Sequence, residues 1–224
     1  MILSKIISLF RGEQFTLDEK IPLSYLCNFL IIRLLYLICG LIRLRKLKCF
    51  ISPSVTLRCM KKVKIKGLLL VGPKCYIDAL SEEGIVLGNG ISIGRNTTIE
   101  CTGSLKNVGK GIRIGNNVGL GTHGYFGGAG GIEIGNDTIF GNYVSLHSEN
   151  HNYSDLNLPI RLQGVNRKGI KIGNNCWIGA KVTILDGTVL GSGCIVAAGA
   201  VVRGVFPDNV VIGGVPAKIL KMRG

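Results

Sequence analysis

An aliphatic residue recurs at every sixth position over long stretches of this chain, and no other feature restricts its fold as tightly. The best run places Ile172, Ile178, Ile184, Leu190, Val196 and Val202 in step, in the hexads IGNNCW, IGAKVT, ILDGTV, LGSGCI, VAAGAV and VRGVFP. Shorter runs precede it at Leu87, Ile93 and Ile99, at Ile114 and Leu120, and at Ile134, Phe140 and Leu146. Four places after the aliphatic residue stands a small one: Val118, Thr138, Val144, Cys176, Val182, Thr188, Cys194 or Ala200. A period of six matches neither the turn of an α-helix nor the alternation of a long strand. It describes very short strands that turn after each hexad and stack one inward aliphatic residue above the next, with glycine or asparagine supplying the corner. Three hexads close one triangular coil. The pattern predicts an all-β solenoid, a left-handed parallel β-helix, which departs from the usual right-handed crossover.

Composition agrees with a turn-dense globular fold. The chain has 224 residues, of which 46% are apolar and 18% charged, enough apolar residues to build a large core and too few charges for disorder. Its 33 glycines show no strict triplet period, which removes collagen.

Two stretches break the period. THGYFGGAGGI, residues 122–132, reads as a glycine-rich excursion. SENHNYSDLNLPIRLQGVNRKG, residues 148–169, reads as a long polar loop, and such a loop on a rigid scaffold commonly serves a site. The coil is expected to end near Val202, with VFPDNVVIGGVPAKILKMRG as a short C-terminal tail. The text before about Phe50 is different. Residues 1–20 are mixed, and residues 21–48 are strongly apolar and close on Arg43, Arg45, Lys46 and Lys48. We divide the chain into an N-terminal helical segment, 1–50, and a solenoid domain, 51–224.

Tyr25–Ile42 is near the lower length limit for spanning hydrocarbon, and Asn28 and Arg33 interrupt it. It either spans a bilayer or lies buried or interfacial. Under both readings the cations after it suit the cytoplasmic face, so contact with the inner face of the membrane through residues 1–48 and a cytoplasmic location are expected. No cleavable signal peptide is evident.

The 27 basic residues against 13 acidic ones give a formal charge of +14, which favours an anionic partner. Aromatic content of 6%, without interleaving among the cations, argues against nucleic acid. The eight cysteines show no CxxC pair and no zinc spacing, so they are expected to be buried thiols in a reducing compartment, and no metal is predicted. GGAGG lacks the lysine and Ser/Thr of a phosphate loop.

HSENHNYSD, LPIRLQGVNRKGIKIGNNCWIGAKVTILDG, IVAAGAVV and GGVPAKIL stand in that order between His147 and Leu220, within a resemblance that covers about residues 85–221. In this the chain resembles the hexapeptide-repeat acyltransferases, above all the O-acetyltransferases of capsule and lipopolysaccharide biosynthesis and the galactoside and maltose acetyltransferases. The resemblance implies a homotrimer with acetyl-CoA, the acyl donor, lying in the groove between neighbouring solenoids. It also implies a histidine that takes the proton from an acceptor hydroxyl. The matching histidine is His151. Imidazole suits that task because it exchanges a proton near neutral pH.

The resemblance further puts Ala180 and Ala198 against the pantetheine arm, Arg203 in contact with the coenzyme beside the last coil, and Lys218 near the phosphates of the coenzyme. Trp177, the only tryptophan, reads as packing at the subunit seam. His123, His147 and Asp155 are candidates for acceptor binding. The asparagine and aspartate that seat the acceptor in the sugar acetyltransferases fall at Gly121 and Ala129, so the acceptor pocket differs, and Asp155 with Arg161 is its candidate replacement. The expected activity is acetyl-CoA-dependent O-acetylation of a sugar in a surface polysaccharide or its precursor. N-acetylation of an amino sugar nucleotide, acetylation of a small molecule such as an antibiotic or serine, and a non-catalytic scaffold are the alternatives.

Overall fold

The computed structural model describes residues 17–224, and the first part of the mixed stretch 1–20 lies outside them. A long helix, α1, covers Leu23–Leu44. From Cys49 onward the chain is built of strands of two or three residues, until the last two, which are longer. Three parallel sheets collect these strands in strict rotation, so that each turn of chain lays one strand in each sheet. We call them sheets I, II and III in the order in which the chain meets them. Sheet I has nine strands, and sheets II and III have seven each.

Inward residues follow the six-residue period. Ile172, Ile178, Ile184, Leu190, Val196 and Val202 are all at most 4% exposed, and the small residues four places later are equally buried. The buried hydroxyls are satisfied: Thr138 Oγ1 donates to Gly173 O, and Thr188 Oγ1 to Val202 O. At the corners between sheets III and I an asparagine ladder carries the turn. Asn116, Asn136 and Asn174 each accept, through Oδ1, the backbone N–H of the corner one coil earlier.

Three expectations need correction. Residues 122–132 are no excursion, because Tyr125–Gly127 is a regular strand of sheet II with Phe126 buried at the inward position. Leu120 and Phe126 keep the six-residue step, and only the glycine corner after them adds residues. The coil also continues past Val202. Val205–Phe206 joins sheet III, and Val210–Gly214 pairs in parallel with Ile195–Val196 before Ala217–Met222 folds back antiparallel on it. A corner two residues shorter, with Phe206 four places after Val202, hides this continuation from a six-residue count. Finally, only five cysteines are buried; Cys27 and Cys59 are exposed and Cys39 is intermediate.

The helix is not a core element either. Gly40 is its only buried residue, placed so that a Cβ there would lie 1.8 Å from Cys49 O. Leu23, Ile31, Leu34, Leu35 and Ile42 are more than half exposed.

Candidate active site

The three outer faces of the solenoid differ in chemistry. Along sheet I the outward column runs Leu70, Ser92, Gly119, Ile139, Trp177, Ile195 and Val211, mostly apolar, with Ile139 and Trp177 both about half exposed. Along sheet III it includes Arg113, Glu133 and Lys171, with ion pairs from Arg113 to Glu83 and from Lys171 to Glu133. Sheet II presents Thr98, Glu100, Tyr125, Ser145, His147 and Thr183. This polar face, with rings among carboxylate and hydroxyl groups, is bordered by every candidate residue except Asp155, which lies in the loop tip.

On the edge of sheet II that leads to sheet III, Ser145–His147 runs directly into the long loop. The loop is ordered by named contacts. Asn150–His151 pairs antiparallel with Val165–Asn166, which makes a hairpin with His151 exposed on it. Arg167 Nε donates to Glu149 Oε2 at 2.7 Å, and its Nη atoms reach Asn107 O and Val108 O on the neighbouring corner. The buried carboxylate of Asp186, one coil further, accepts from Lys168 N and Gly169 N, and Asn150 Nδ2 donates to it at 3.4 Å. At the tip, Gln163 Nε2 donates to Asp155 O and Leu158 O. Asp155 Oδ1 accepts from Asn157 N, so this carboxylate shapes the loop. No ion pair joins Asp155 to Arg161 among the described residues.

His147 stands beside the hairpin. Its ring stacks on Tyr125 with centroids 5.3 Å apart, and Tyr125 in turn covers Gly127, where a Cβ would lie 2.9 Å from the Tyr125 ring. His147 keeps an exposed side, and its partial burial lowers its pKa below the ordinary value. The shift favours the neutral imidazole, the form able to accept a proton. Arg203 follows directly on Val202, at this same edge in the last coil of sheet II.

The opposite edge, between sheets I and II, carries the other candidates. A Cβ on Gly141 would lie 2.6 Å from Ala180 N, and one on Gly179 would lie 2.6 Å from Ala198 N. Successive corners are therefore stacked at backbone contact, and the two alanines leave a flat wall along the edge. Among the described residues neither the Ala180 nor the Ala198 N–H has a hydrogen-bond partner. Lys218, exposed, pairs with Gly213 at the end of this wall. His123 lies on the same edge two coils earlier, in a left-handed backbone conformation with φ 58°. Its Nε2 is 2.9 Å from Asn96 Nδ2 and its ring stacks on Tyr143 at 4.7 Å, so it belongs to a corner ladder and not to the His147 cluster.

The structure thus brings His147, His151 and Arg203 to one edge of a polar face, and Ala180, Ala198, Lys218 and His123 to the other. The Glu149–Arg167 pair, Asp186 and Tyr125 were missed in the sequence. Ion pairs and stacked rings between residues eighteen or more positions apart carry no periodic signal. No cluster of metal-ligating side chains occurs among the described residues.

The family model for bacterial transferase hexapeptide (six repeats) matches residues 169–204. The probable acetyltransferase Rv3034c of Mycobacterium tuberculosis is 34% identical over 160 residues, 70% of this chain and 51% of that protein. The putative lipopolysaccharide biosynthesis O-acetyl transferase WbbJ of Escherichia coli is 34% identical over 139 residues, 58% of this chain and 71% of that protein. The chain therefore spans about half the length of the mycobacterial relative. Among solved structures, AntD, an N-acyltransferase from Bacillus cereus in complex with dTDP and coenzyme A, shares the fold. Its TM-score is 0.60 at 20% identity, over 72% of this chain and 84% of that one.

Proposed function

Since the chain belongs to the hexapeptide-repeat acyltransferases, we propose that it is an acetyl-CoA-dependent O-acetyltransferase acting on a sugar hydroxyl of a surface polysaccharide or its precursor. One observation carries the reading: sheet II has an ordered histidine hairpin at one edge and, at the other, an alanine wall that ends at Lys218, with two backbone N–H groups unpaired among the described residues. The coil is taken as left-handed, in line with the six-residue pattern.

In this reading the wall receives the pantetheine arm. The free N–H groups of Ala180 and Ala198 donate to its amide carbonyls, and the small side chains let it lie flat. Lys218 and Arg203 supply fixed positive charge for the phosphates. The imidazole of His151 takes the proton from the acceptor hydroxyl as the oxygen attacks the thioester carbonyl. It then returns that proton to the departing thiolate. Tyr125 and His147 offer the acceptor a ring surface beside the hairpin, in place of the polar side chains missing at Gly121 and Ala129.

Because wall and hairpin sit on opposite edges of one solenoid, we assign the groove to the seam between subunits of a homotrimer. The apolar column with Ile139 and Trp177, and a loop tip that exposes Leu156, Ile160 and Leu162, support that assembly. We further place the enzyme at the cytoplasmic side of the cell membrane, attached through α1.

The test is coenzyme A thiol release with a panel of sugar acceptors bearing hydroxyl or amino groups, read with product mass. Transfer to a hydroxyl that falls about 10²–10⁴-fold in His151→Ala, with acetyl-CoA affinity unchanged, is expected. Transfer only to amines would replace O- by N-acetylation. Full activity in His151→Ala would remove the mechanism.

A further inference from the structure

We propose that the first coil of the solenoid is a binding surface for anionic phospholipid headgroups, which seats the solenoid end-on against the bilayer that holds α1. The inference rests on the membrane attachment proposed above and is independent of acetyl transfer.

The charge of the chain is concentrated at one end. Between Lys20 and Ile77 there are twelve basic residues and not one Asp or Glu, while the rest of the chain is nearly balanced. Almost all of the +14 therefore lies away from the alanine wall. Nine of the twelve fall in 43–66, the end of α1 and the first coil, and all nine are exposed.

They surround the coil. Arg45, Lys46 and Lys48 lead into the first strand of sheet I, Cys49–Ile51. Arg58 ends the first strand of sheet II, and Lys61 and Lys62 lie in the 3-10 turn at the next corner. Lys64 points outward from Val63–Ile65 on sheet III, and Lys66 stands at the corner after it. Arg43 and Lys46 are splayed across the end of the coil, donating to Val55 O and to Ile65 O. Among the described residues, Arg58 alone of the nine is paired with a carboxylate, that of Asp78 in the second coil.

This ring adjoins a helix whose character fixes the partner. α1 is 22 residues long, about 33 Å, enough to cross the hydrocarbon of a bilayer. Its exposed apolar side chains spread over more than half of its circumference, with Gly40 on the remaining stripe, and its mean hydropathy is 2.1. A helix lying in the interface would show one polar face; α1 shows none. A duplex or a soluble polyanion would answer the ring and leave the helix uncovered. A bilayer with anionic headgroups answers both, since cations within a few ångströms of such a surface each strengthen binding severalfold.

The test is flotation of the full chain with vesicles of phosphatidylcholine alone or mixed with phosphatidylglycerol. Beside it runs the variant Arg45→Gln/Lys48→Gln/Lys61→Gln/Lys64→Gln/Lys66→Gln, its folding checked by thermal unfolding. The proposal predicts that phosphatidylglycerol strengthens binding of the natural chain at least about tenfold, and that about 0.5 M salt removes the gain. It also predicts that the variant keeps its binding to neutral vesicles and loses the gain. Equal binding to both vesicle types, or an undiminished preference in the folded variant, would overturn it. Absence from both kinds of vesicle would overturn the attachment through α1 as well.

Discussion

Arg167 Nε lies 2.7 Å from Glu149 Oε2, and this pair closes the base of the hairpin that carries His151. Both side chains are largely buried, and Arg167 also binds the carbonyls of Asn107 and Val108, so one guanidinium fixes the loop to the scaffold beneath it. Arg167→Ala should therefore cost about 1–3 kcal/mol of stability, through the lost charge-assisted hydrogen bonds. It should lower the transfer rate about 10–100-fold by loosening the hairpin, with acetyl-CoA affinity retained. Denaturant unfolding and steady-state kinetics check both, and Arg167→Lys should recover only part of the rate.

His147 gives a dependence on pH. Burial lowers its pKa, so as pH falls through the ordinary histidine range the unfolded chain takes up a proton that the folded chain resists. Stability is full above that range and declines below it. Melting curves at about pH 7.5 and about pH 5.5 should show a smaller acid-side loss in His147→Gln than in the natural chain.

The buried thiols should be inert. Burial pushes the Cys101 thiol up to about 12 and the Cys176 thiol up to about 11, which leaves almost no thiolate at neutral pH. Cys59 is exposed. Iodoacetamide on the native protein should label Cys59 and leave Cys101 and Cys176 unmodified until denaturant is added, as peptide mass mapping will read.

Much of the scaffold was legible because its physics is periodic. One inward side chain per hexad must be aliphatic, and the run Ile172 to Val202 states that rule directly. Legibility fails where a corner changes length. The glycines after Phe126 and the short step from Val202 to Phe206 shift the count, and real strands then read as interruptions or tail. In the candidate site, motifs single out His151, Ala180 and Ala198 but say nothing of how the coils arrange them. That His147 stacks on Tyr125, or that Asp186 caps the returning limb of the loop, follows from which coils lie next to each other. The sequence spacing carries no trace of it. Exposure of α1 was likewise open, since its composition suits a buried helix and a bilayer equally.

Calorimetric titration with acetyl-CoA tests the central claim most directly, on the natural chain and on Lys218→Glu and Ala198→Leu. The account predicts micromolar binding at one site per chain. It predicts about tenfold weaker binding in Lys218→Glu, by reversal of a charge beside the phosphates, and a loss at least as large in Ala198→Leu, by obstruction of the wall. A folded protein that takes up no acetyl-CoA, or binds it equally well in all three forms, would contradict it.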